Sequence, residues 1–312
     1  MTNWSERLTS FIKQQKEQNN LRILKREIKQ TINKPVSQIM TSKVITIAKN
    51  DSVLDAAKTM RNEGVSCLVI ESNGKVEGLV TESDFVKKVP LSTQGLALDV
   101  SKVMSEGILC GSEDSTIFET HELMVNHQFR KLPIVKNGKL VGIVTQTDVV
   151  EALDRFATHS IIDTLNSLHV WELMKVPIVS VKPTATLAEA KKLMADKAIS
   201  CVLVVENGIF RGIITERDIV SELAKDVGRL GFYHAQDIMK APIVSIDQNL
   251  QLFEANHYML EKGFRRFFVR TDEEPGIITQ TDIARAAYSF LNNLIRRIEK
   301  NQLKDLSIEK VS

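Results

Sequence analysis

The order of apolar and polar residues in this chain predicts a short strand followed by a helix, two further strands and a second helix. The apolar stretch VITI at 44–47 predicts the first strand. In the helix that follows, the apolar residues share one face at Val53, Leu54, Ala57 and Met60. Asp51 or Ser52 can cap the start of this helix, and Gly64 ends it.

The second half of this block predicts a β-hairpin that leads into a helix. CLVI at 67–70 is a continuous apolar run of the kind that is buried on both faces of a sheet. Asn73-Gly74 is a hairpin signal, VEGLV at 76–80 is the returning strand, and a helix begins near Thr81. The order is β-α-β-β-α. A unit of about 55 residues is marginal alone, so we expect it to bury one sheet face against a neighbouring unit.

Three signatures of this block recur four times in the same order. Each block opens with an apolar residue and Met, at Ile39-Met40, Val103-Met104, Leu173-Met174 and Ile238-Met239. A second Met follows in the predicted first helix, at Met60, Met124, Met194 and Met259. Each block ends with Gly-apolar-apolar-Thr-x-x-Asp, as GLVTESD from Gly78, GIVTQTD from Gly142, GIITERD from Gly212 and GIITQTD from Gly276. Such a recurrence defines four copies of one unit, and a longer joint near 151–170, with apolar residues at helical spacing, groups them into two pairs.

These motifs resemble those of the CBS domain. The resemblance implies a mixed α/β (α+β) fold in which four β-α-β-β-α CBS motifs pair into two Bateman modules and form a flat disk, with helical N- and C-terminal extensions. This layout is similar to that of the gamma subunit of AMP-activated protein kinase. The predicted segments are a basic N-terminal extension at 1–35, motif 1 at 36–90, motif 2 at 100–156, a helical linker at 157–169, motif 3 at 170–225, motif 4 at 235–290 and a C-terminal helical tail at 291–312, so that the modules span 36–156 and 170–290.

The resemblance also implies adenosyl ligands in the clefts between paired copies. The ribose hydroxyls would be held by the motif aspartates, Asp84, Asp148, Asp218 and Asp282, and the ribose or phosphate by the threonines, Thr81, Thr145, Thr215 and Thr279. The chemistry agrees, because a carboxylate accepts two hydrogen bonds from a diol and the free N–H groups of a helix start favour an anion. The same residues also suit a purely structural role, in which Thr caps the helix and Asp complements its dipole.

A second set of positions distinguishes the odd copies from the even copies. Small pairs stand before the buried strand at Ser66-Cys67 and Ser200-Cys201, whereas copies two and four have Arg130-Lys131 and Arg265-Arg266. The resemblance implies that these basic residues reach ligand phosphates, which charge-assisted hydrogen bonds would favour. We therefore expect only the even copies to combine diol and phosphate features, in Asp148 with Arg130 and in Asp282 with Arg265. The alternative is a solvated basic step before each strand.

The first strand of each copy carries a small residue at one repeated position. The resemblance places Thr46, Ser180 and Ser245 at the edge of the adenine, and Cys110 of copy two departs from this pattern. Small residues also fit any crowded strand edge, so both interpretations stay open.

Composition and charge limit the functions further. The chain has 312 residues, 43% of them hydrophobic, and a formal net charge of +2, which favours a globular protein and disfavours a nucleic-acid binder with a large overall positive field. Three separated cysteines exclude a disulfide scaffold and a thiolate zinc site and favour a reducing cytoplasm. We expect no signal peptide and no membrane span. No histidine cluster or catalytic motif occurs, so we expect neither an enzyme nor a metal or prosthetic group.

The two ends are more basic than the middle. Residues 1–35 carry eight Lys or Arg against three Glu, and both ends predict amphipathic helices. The favoured hypothesis is a non-enzymatic sensor whose regulatory ligand is AMP, ADP or ATP, with NAD or S-adenosylmethionine as alternatives, and which controls an unknown protein partner. The other hypothesis is an interaction scaffold with vestigial clefts, whose basic ends bind a partner protein or nucleic acid. Whether the disk closes within one chain or in a homodimer is left open.

Overall fold

The computed structural model describes residues 18–225 and 231–300; residues 1–17 of the predicted N-terminal extension and 301–312 of the predicted tail lie outside this range. Helix α1 spans Gln18–Ile32 and precedes the first copy. Copy one consists of β1 (Thr46–Ile47), α2 (Val53–Asn62), β2 (Cys67–Ser72), β3 (Lys75–Thr81) and α3 (Glu82–Lys88), followed by the short helix α4 (Thr93–Leu96). Copy two consists of β4 (Ser105–Glu106), β5 (Gly111–Ser112), α5 (Ile117–Asn126), β6 (Lys131–Lys136), β7 (Lys139–Thr145) and α6 (Gln146–Phe156).

The second half of the chain repeats this order. Helix α7 (His159–Leu165) forms the joint between the halves. Copy three consists of β8 (Ser180–Val181), α8 (Leu187–Asp196), β9 (Cys201–Glu206), β10 (Ile209–Thr215) and α9 (Glu216–Lys225), followed by the short helix α10 (Ala235–Ile238). Copy four consists of β11 (Ser245–Asp247), α11 (Leu252–Lys262), β12 (Arg266–Arg270), β13 (Gly276–Thr279) and α12 (Gln280–Glu299). The predicted β-α-β-β-α order is confirmed in all four copies.

Local sequence signals set the ends of these elements. Ser52 is the N-cap of α2, and its side chain accepts a hydrogen bond from the backbone N–H of Asp55. Just beyond the helix, Gly64 has a φ of +67°, a left-handed conformation that glycine adopts at low cost. The hairpin turn between β2 and β3 has φ angles of 53° at Asn73 and 82° at Gly74, as Asn-Gly hairpins require.

Each copy has a small sheet with one parallel and one antiparallel pairing. In copy one, β1 pairs in parallel with β2, which pairs with β3 in an antiparallel hairpin. A fourth strand, β4, comes from copy two and pairs with β3. The first strands are short, since only Thr46–Ile47 of the predicted strand at 44–47 pairs.

The opening segment of each copy packs on the partner copy rather than on its own. Thr41 bridges Ile143 of copy two, and the Met40 side chain covers Gly142. A Cβ atom on Gly142 would lie 2.6 Å from the Met40 Sδ, and the equivalent glycines of the other copies contact Met104, Met239 and Met174. The repeated Met of one copy therefore contacts the repeated Gly of its partner copy. This exchange of opening segments joins the two copies of each module.

Helices join the two modules into a ring that closes within one chain. Helix α9 of copy three packs against α2 and α3 of copy one, and α12 of copy four packs against α6 of copy two. Within the modules, Cys67 and Leu79 of copy one share an apolar cluster with Ile143 of copy two, and the rings of Phe210 and Phe268 lie 4.6 Å apart. The second repeated methionines, Met60, Met124, Met194 and Met259, are all buried in the helical cores.

The terminal helices belong to the core formed by copies two and four. Helix α1 packs on α12 and α7, and it buries Leu24, Ile28 and Ile32 there. Helix α12 continues from copy four to Glu299 without a break at residue 290. Within residues 18–225 and 231–300, no helix has both the length and the apolar character that crossing a bilayer requires.

Candidate functional site

The four Thr–Asp motifs have the same geometry at the starts of α3, α6, α9 and α12. In copy one, Oδ2 of Asp84 accepts hydrogen bonds from the backbone N–H of Thr81 (2.9 Å) and from its hydroxyl (2.6 Å). The hydroxyl in turn accepts from the backbone N–H of Asp84 at 3.3 Å. This is a capping box with Asp at the third position. The structural role foreseen for these residues is thus present, and it leaves Oδ1 of each aspartate for other partners.

The second carboxylate oxygen differs among the copies. Oδ1 of Asp84 lies 2.9 Å from Lys88 Nζ on its own helix, whereas Oδ1 of Asp282 lies 2.8 Å from Lys175 Nζ, which comes from the opening segment of copy three. Lys240 approaches Asp218 in the same way from copy four, at 4.0 Å. For Asp148, no ion pair occurs among the described residues, and burial raises its pKa although hydrogen bonds from Thr145 oppose this.

The lysines of the second module were not foreseen from the sequence. Their signal is the residue after the opening Met, which is Lys in copies three and four but Thr41 and Ser105 in copies one and two. Because the opening segments are exchanged, this residue faces the motif aspartate of the partner copy. The two modules therefore present different charges at equivalent clefts.

A cleft of about 250 Å³ lies between copies one and two. Thr81 and Asp84 of copy one line it together with Arg130 and Lys131 of copy two. Diol-binding and phosphate-binding candidates of different copies thus line this cleft, and the expectation that each even copy combines both features stays a prediction. The exchanged packing places the basic pair of copy two opposite the last helix of copy one.

An apolar wall completes this cleft. It is formed by Leu79, Ile108, Leu109, Phe129 and Pro133. Leu109 is 41% exposed and adds to this wall an apolar surface on which a flat ring can lie. This wall was not foreseen from the sequence, although Leu109 stands directly before Cys110, the position assigned to the adenine edge.

The residues predicted at the adenine edge lie elsewhere than this cleft. Thr46 on β1 and Ser180 on β8 are exposed, and Ser245 on β11 is half-buried. Cys110 is half-buried next to the apolar wall, and burial raises the pKa of its thiol. In copy two, the residue at this repeated position is Cys110, which lies beside the apolar wall and differs from the Thr or Ser of the other copies.

A second, smaller cavity of about 80 Å³ lies where all four copies meet. The basic pairs line it from copies two and four, with Glu82 and Glu216 from copies one and three. Arg130 and Lys131 line both this central cavity and the cleft between copies one and two. The basic pairs thus face the inside of the ring, and burial lowers the pKa of Lys131.

Two arginines of the basic pairs reach carboxylates of the opposite module. Arg130 Nη2 of copy two lies 3.0 Å from Glu216 Oε2 of copy three. Arg265 Nη1 of copy four approaches Glu82 Oε2 of copy one at 4.0 Å. Both contacts therefore run diagonally across the ring, and each places a cation of one module beside a carboxylate of the other.

Two further arginine contacts complete the centre. Arg217 of copy three donates from Nε to Glu82 of copy one at 2.9 Å, where α9 packs on α3. Arg266 of copy four donates from Nη1 to the carbonyl of Ser200 at 2.8 Å, within the second module. Glu82 is thus approached by two arginines, whereas Glu216 forms an ion pair with Arg130.

A basic groove on α1 is the third candidate site. It has a volume of about 730 Å³ and is lined by Arg22, Lys25, Arg26, Lys29, Gln30, Asn33, Lys34, Pro35 and Gln38. Lys25 and Lys29 form ion pairs with Glu299 at 3.2 and 2.7 Å. In the part of the chain that the structure describes, no group of three or more His, Cys, Asp or Glu is placed to hold a metal ion.

Comparison with known proteins gives a consistent family and fold. The family model described as CBS domain matches residues 36–91, 100–155, 170–225 and 235–289. An uncharacterized 17.7 kDa protein of Acidianus ambivalens is 39% identical over 120 residues, which are 38% of this chain and 72% of that protein.

Two solved structures are also similar. Protein MJ1225 of Methanocaldococcus jannaschii, described as a proposed archaeal homologue of g-AMPK, has a TM-score of 0.72 at 21% identity and covers 81% of this chain and 99% of that chain. In sequence it is 26% identical over 201 residues, or 62% of this chain and 71% of that protein. CBSX2, solved in complex with AMP, has 23% identity over 40% of this chain and 99% of that chain, with a TM-score of 0.36. The likeness to MJ1225 shows a shared fold.

Proposed function

The chain belongs to the CBS domain family, and we propose that it is a non-enzymatic regulatory sensor of adenine nucleotides of the AMP, ADP and ATP class. The ligand binds in the cleft between copies one and two and alters the affinity of the ring for a protein partner. Asp84 accepts hydrogen bonds from the ribose hydroxyls, and Arg130 and Lys131 bind phosphate. The apolar wall with Leu109 covers the adenine.

One observation carries this proposal: a single cleft combines a diol acceptor, Asp84, and a pair of cations, Arg130 and Lys131, with an apolar wall. Lys87 lines the same cleft, so three cations stand against one carboxylate. This excess of positive charge favours a ligand with phosphates over S-adenosylmethionine, which itself carries a cationic sulfonium. NAD satisfies the same contacts, but it must place a second nucleoside outside a cleft of this volume.

Regulation follows from the position of the cleft. Arg130 and Lys131 separate it from the centre of the ring, where both modules meet. A ligand shifts the arrangement of the modules only if it binds one arrangement more tightly than another. The phosphate of the ligand contacts Arg130, which also bridges the two modules. The affinity for the ligand therefore depends on how the modules are arranged.

Calorimetry on the full-length chain, stripped of bound ligands, tests this function. We expect AMP, ADP or ATP to bind, and Asp84→Asn to weaken binding by about tenfold or more, since charge-assisted hydrogen bonds are worth about 1.5–3 kcal/mol each. Asparagine retains an acceptor for the helix cap, so the fold should survive. Asp163→Ala, an exposed position on α7, is the control and should bind normally. Absence of binding at millimolar nucleotide rules the function out.

The basic groove on α1 supports a second candidate function, in which this surface binds an anionic partner. Its lining is cationic and amide-bearing, as in surfaces that contact phosphate backbones. Deletion of the N-terminal extension cannot test this, because Leu24, Ile28 and Ile32 are buried in the core. The test is fluorescence anisotropy with a labelled oligonucleotide and with a labelled acidic peptide. Arg22→Glu with Arg26→Glu should abolish binding, and the exposed control pair Lys58→Glu with Lys197→Glu should not.

A further inference from the structure

The residue after the motif threonine alternates in step with the basic pairs. It is Glu in copies one and three and Gln in copies two and four, at Glu82, Gln146, Glu216 and Gln280. The basic pairs stand only in copies two and four. The ring therefore brings two carboxylates from one set of copies to cations from the other set. Neither the Thr–Asp motif nor the basic pair accounts for these two carboxylates, Glu82 and Glu216, at helix starts beside a proposed phosphate site.

Among the described residues, Glu216 forms its ion pair with Arg130, and Lys131 lines the same cavity. Arg130 Nη2 contacts both carboxylate oxygens, at 3.0 and 3.3 Å. The Glu216 side chain is only 8% exposed, whereas that of Arg130 is 38% exposed. A carboxylate that is removed from water to this degree is costly without a paired cation. The contact joins copy two to copy three and thus joins the two modules.

Arg130 is also the cation that the cleft between copies one and two offers to a phosphate. Its side chain lines both the cleft and the central cavity. A guanidinium has enough donors for two acceptors, but a phosphate beside Glu216 would repel the carboxylate. Phosphate and Glu216 therefore oppose each other at one arginine.

We propose that Glu216 is an internal anion that competes with the phosphate of a cleft-bound nucleotide for Arg130. This inference rests on the proposed nucleotide function. Binding of a nucleotide draws Arg130 out of its contact with copy three and weakens the link between the modules, and adenosine, which lacks the phosphate, leaves that link intact. Glu216 thus sets the affinity of the cleft for phosphate and transmits its occupancy across the ring.

Glu216→Gln tests the competition with little risk to the fold, because Gln146 and Gln280 already occupy the equivalent position in copies two and four. AMP and adenosine are titrated calorimetrically into the full-length chain. We expect Glu216→Gln to tighten AMP by about tenfold and to leave adenosine within about twofold. The matched control is Glu206→Gln, since Glu206 of the same copy is also paired with an arginine, Arg211, at 3.0 Å, but on an exposed hairpin.

The Arg130→Gln background separates this mechanism from a general effect of removing one negative charge. If the gain acts through Arg130, Glu216→Gln should no longer tighten AMP in that background, whereas a general field effect would persist. A persistent gain, an equal gain for adenosine, or unchanged AMP affinity in Glu216→Gln each overturns the competition. If neither AMP nor adenosine binds any variant, the proposed function fails, and the inference fails with it.

Discussion

Replacing Gly142 with alanine should perturb the contact that joins copies one and two. Its Cβ would lie 2.6 Å from the Sδ and 3.0 Å from the Cγ of Met40, and 3.2 Å from the carbonyl oxygen of Thr41. The first two distances are too short for van der Waals contact, so the Met40 side chain has to move out of a packed site. Overpacking of this kind costs about 1–3 kcal/mol.

Gly78 provides an informative contrast in the same module. There the nearest atom to a new Cβ is the backbone oxygen of Ser105 at 2.8 Å, and the Met104 Sδ is farther away at 3.1 Å. Shortening Met40 to Ala should therefore remove most of the additional cost of Gly142→Ala. Shortening Met104 to Ala should leave the cost of Gly78→Ala nearly unchanged, because the clash with the backbone remains.

The assay is the midpoint of thermal unfolding, measured by scanning calorimetry on each single and double variant. In a unit of 150–250 residues, each kcal/mol lowers the midpoint by about 2–4 °C. Gly231→Ala is the control, since no atom of the described residues lies within 4 Å of the position that its new Cβ would take and its φ is not left-handed. A clash with Met40 is refuted as the cause if Gly142→Ala lowers the midpoint no more than this control, or if Met40→Ala does not reduce the cost of Gly142→Ala.

Two further predictions concern buried titratable groups. Burial and the charge of Arg285 lower the pKa of His121 to about 4 from 6.5, so the unfolded chain binds a proton that the folded chain does not. Stability should therefore fall as the pH is lowered from 6.5 to 4, by up to about 3 kcal/mol, and His121→Phe, which keeps the ring contact with Tyr288, should flatten this dependence in denaturation curves. Cys67 and Cys201 are buried and only Cys110 is half-buried, so a thiol reagent at pH 8 should modify Cys110 alone in the native chain, and slowly, because burial also raises the pKa of this thiol. AMP should slow that modification if its adenine lies against Leu109; an unchanged rate would argue against this placement.

Local structure could be predicted because its causes are local. The start of α2 at Ser52 and the left-handed turns at Asn73-Gly74 and Gly64 follow from residues within a few positions of each other. The threonine caps were foreseen for the same reason, as one of two roles. The four copies could be recognised in the sequence because each copy makes the same packing contacts and therefore has similar residues at the same positions.

The composition of the cleft could not be predicted, because it depends on which copies meet. Asp84 and Arg130 lie in different copies, and nothing in their own neighbourhoods indicates that they line one cavity. The alternation of Glu82 and Glu216 with glutamine was visible, but its meaning required the diagonal contact of Glu216 with Arg130. Long-range pairings of this kind are decided by the closure of the ring.

Ring closure also determines the order in which the chain can fold during synthesis. The ion pair of Glu82 with Arg217 joins residues 135 positions apart, and the contact of Lys29 with Glu299 joins residues 270 positions apart. At about 5–20 residues per second, the apolar helical face of copy one leaves the ribosome on the order of ten seconds before copy three can cover it. Helix α12, on which α1 packs, is synthesised later still. The nascent first module therefore exposes an apolar face until the second half of the chain has been made, and in this interval pairing with another chain competes with closure.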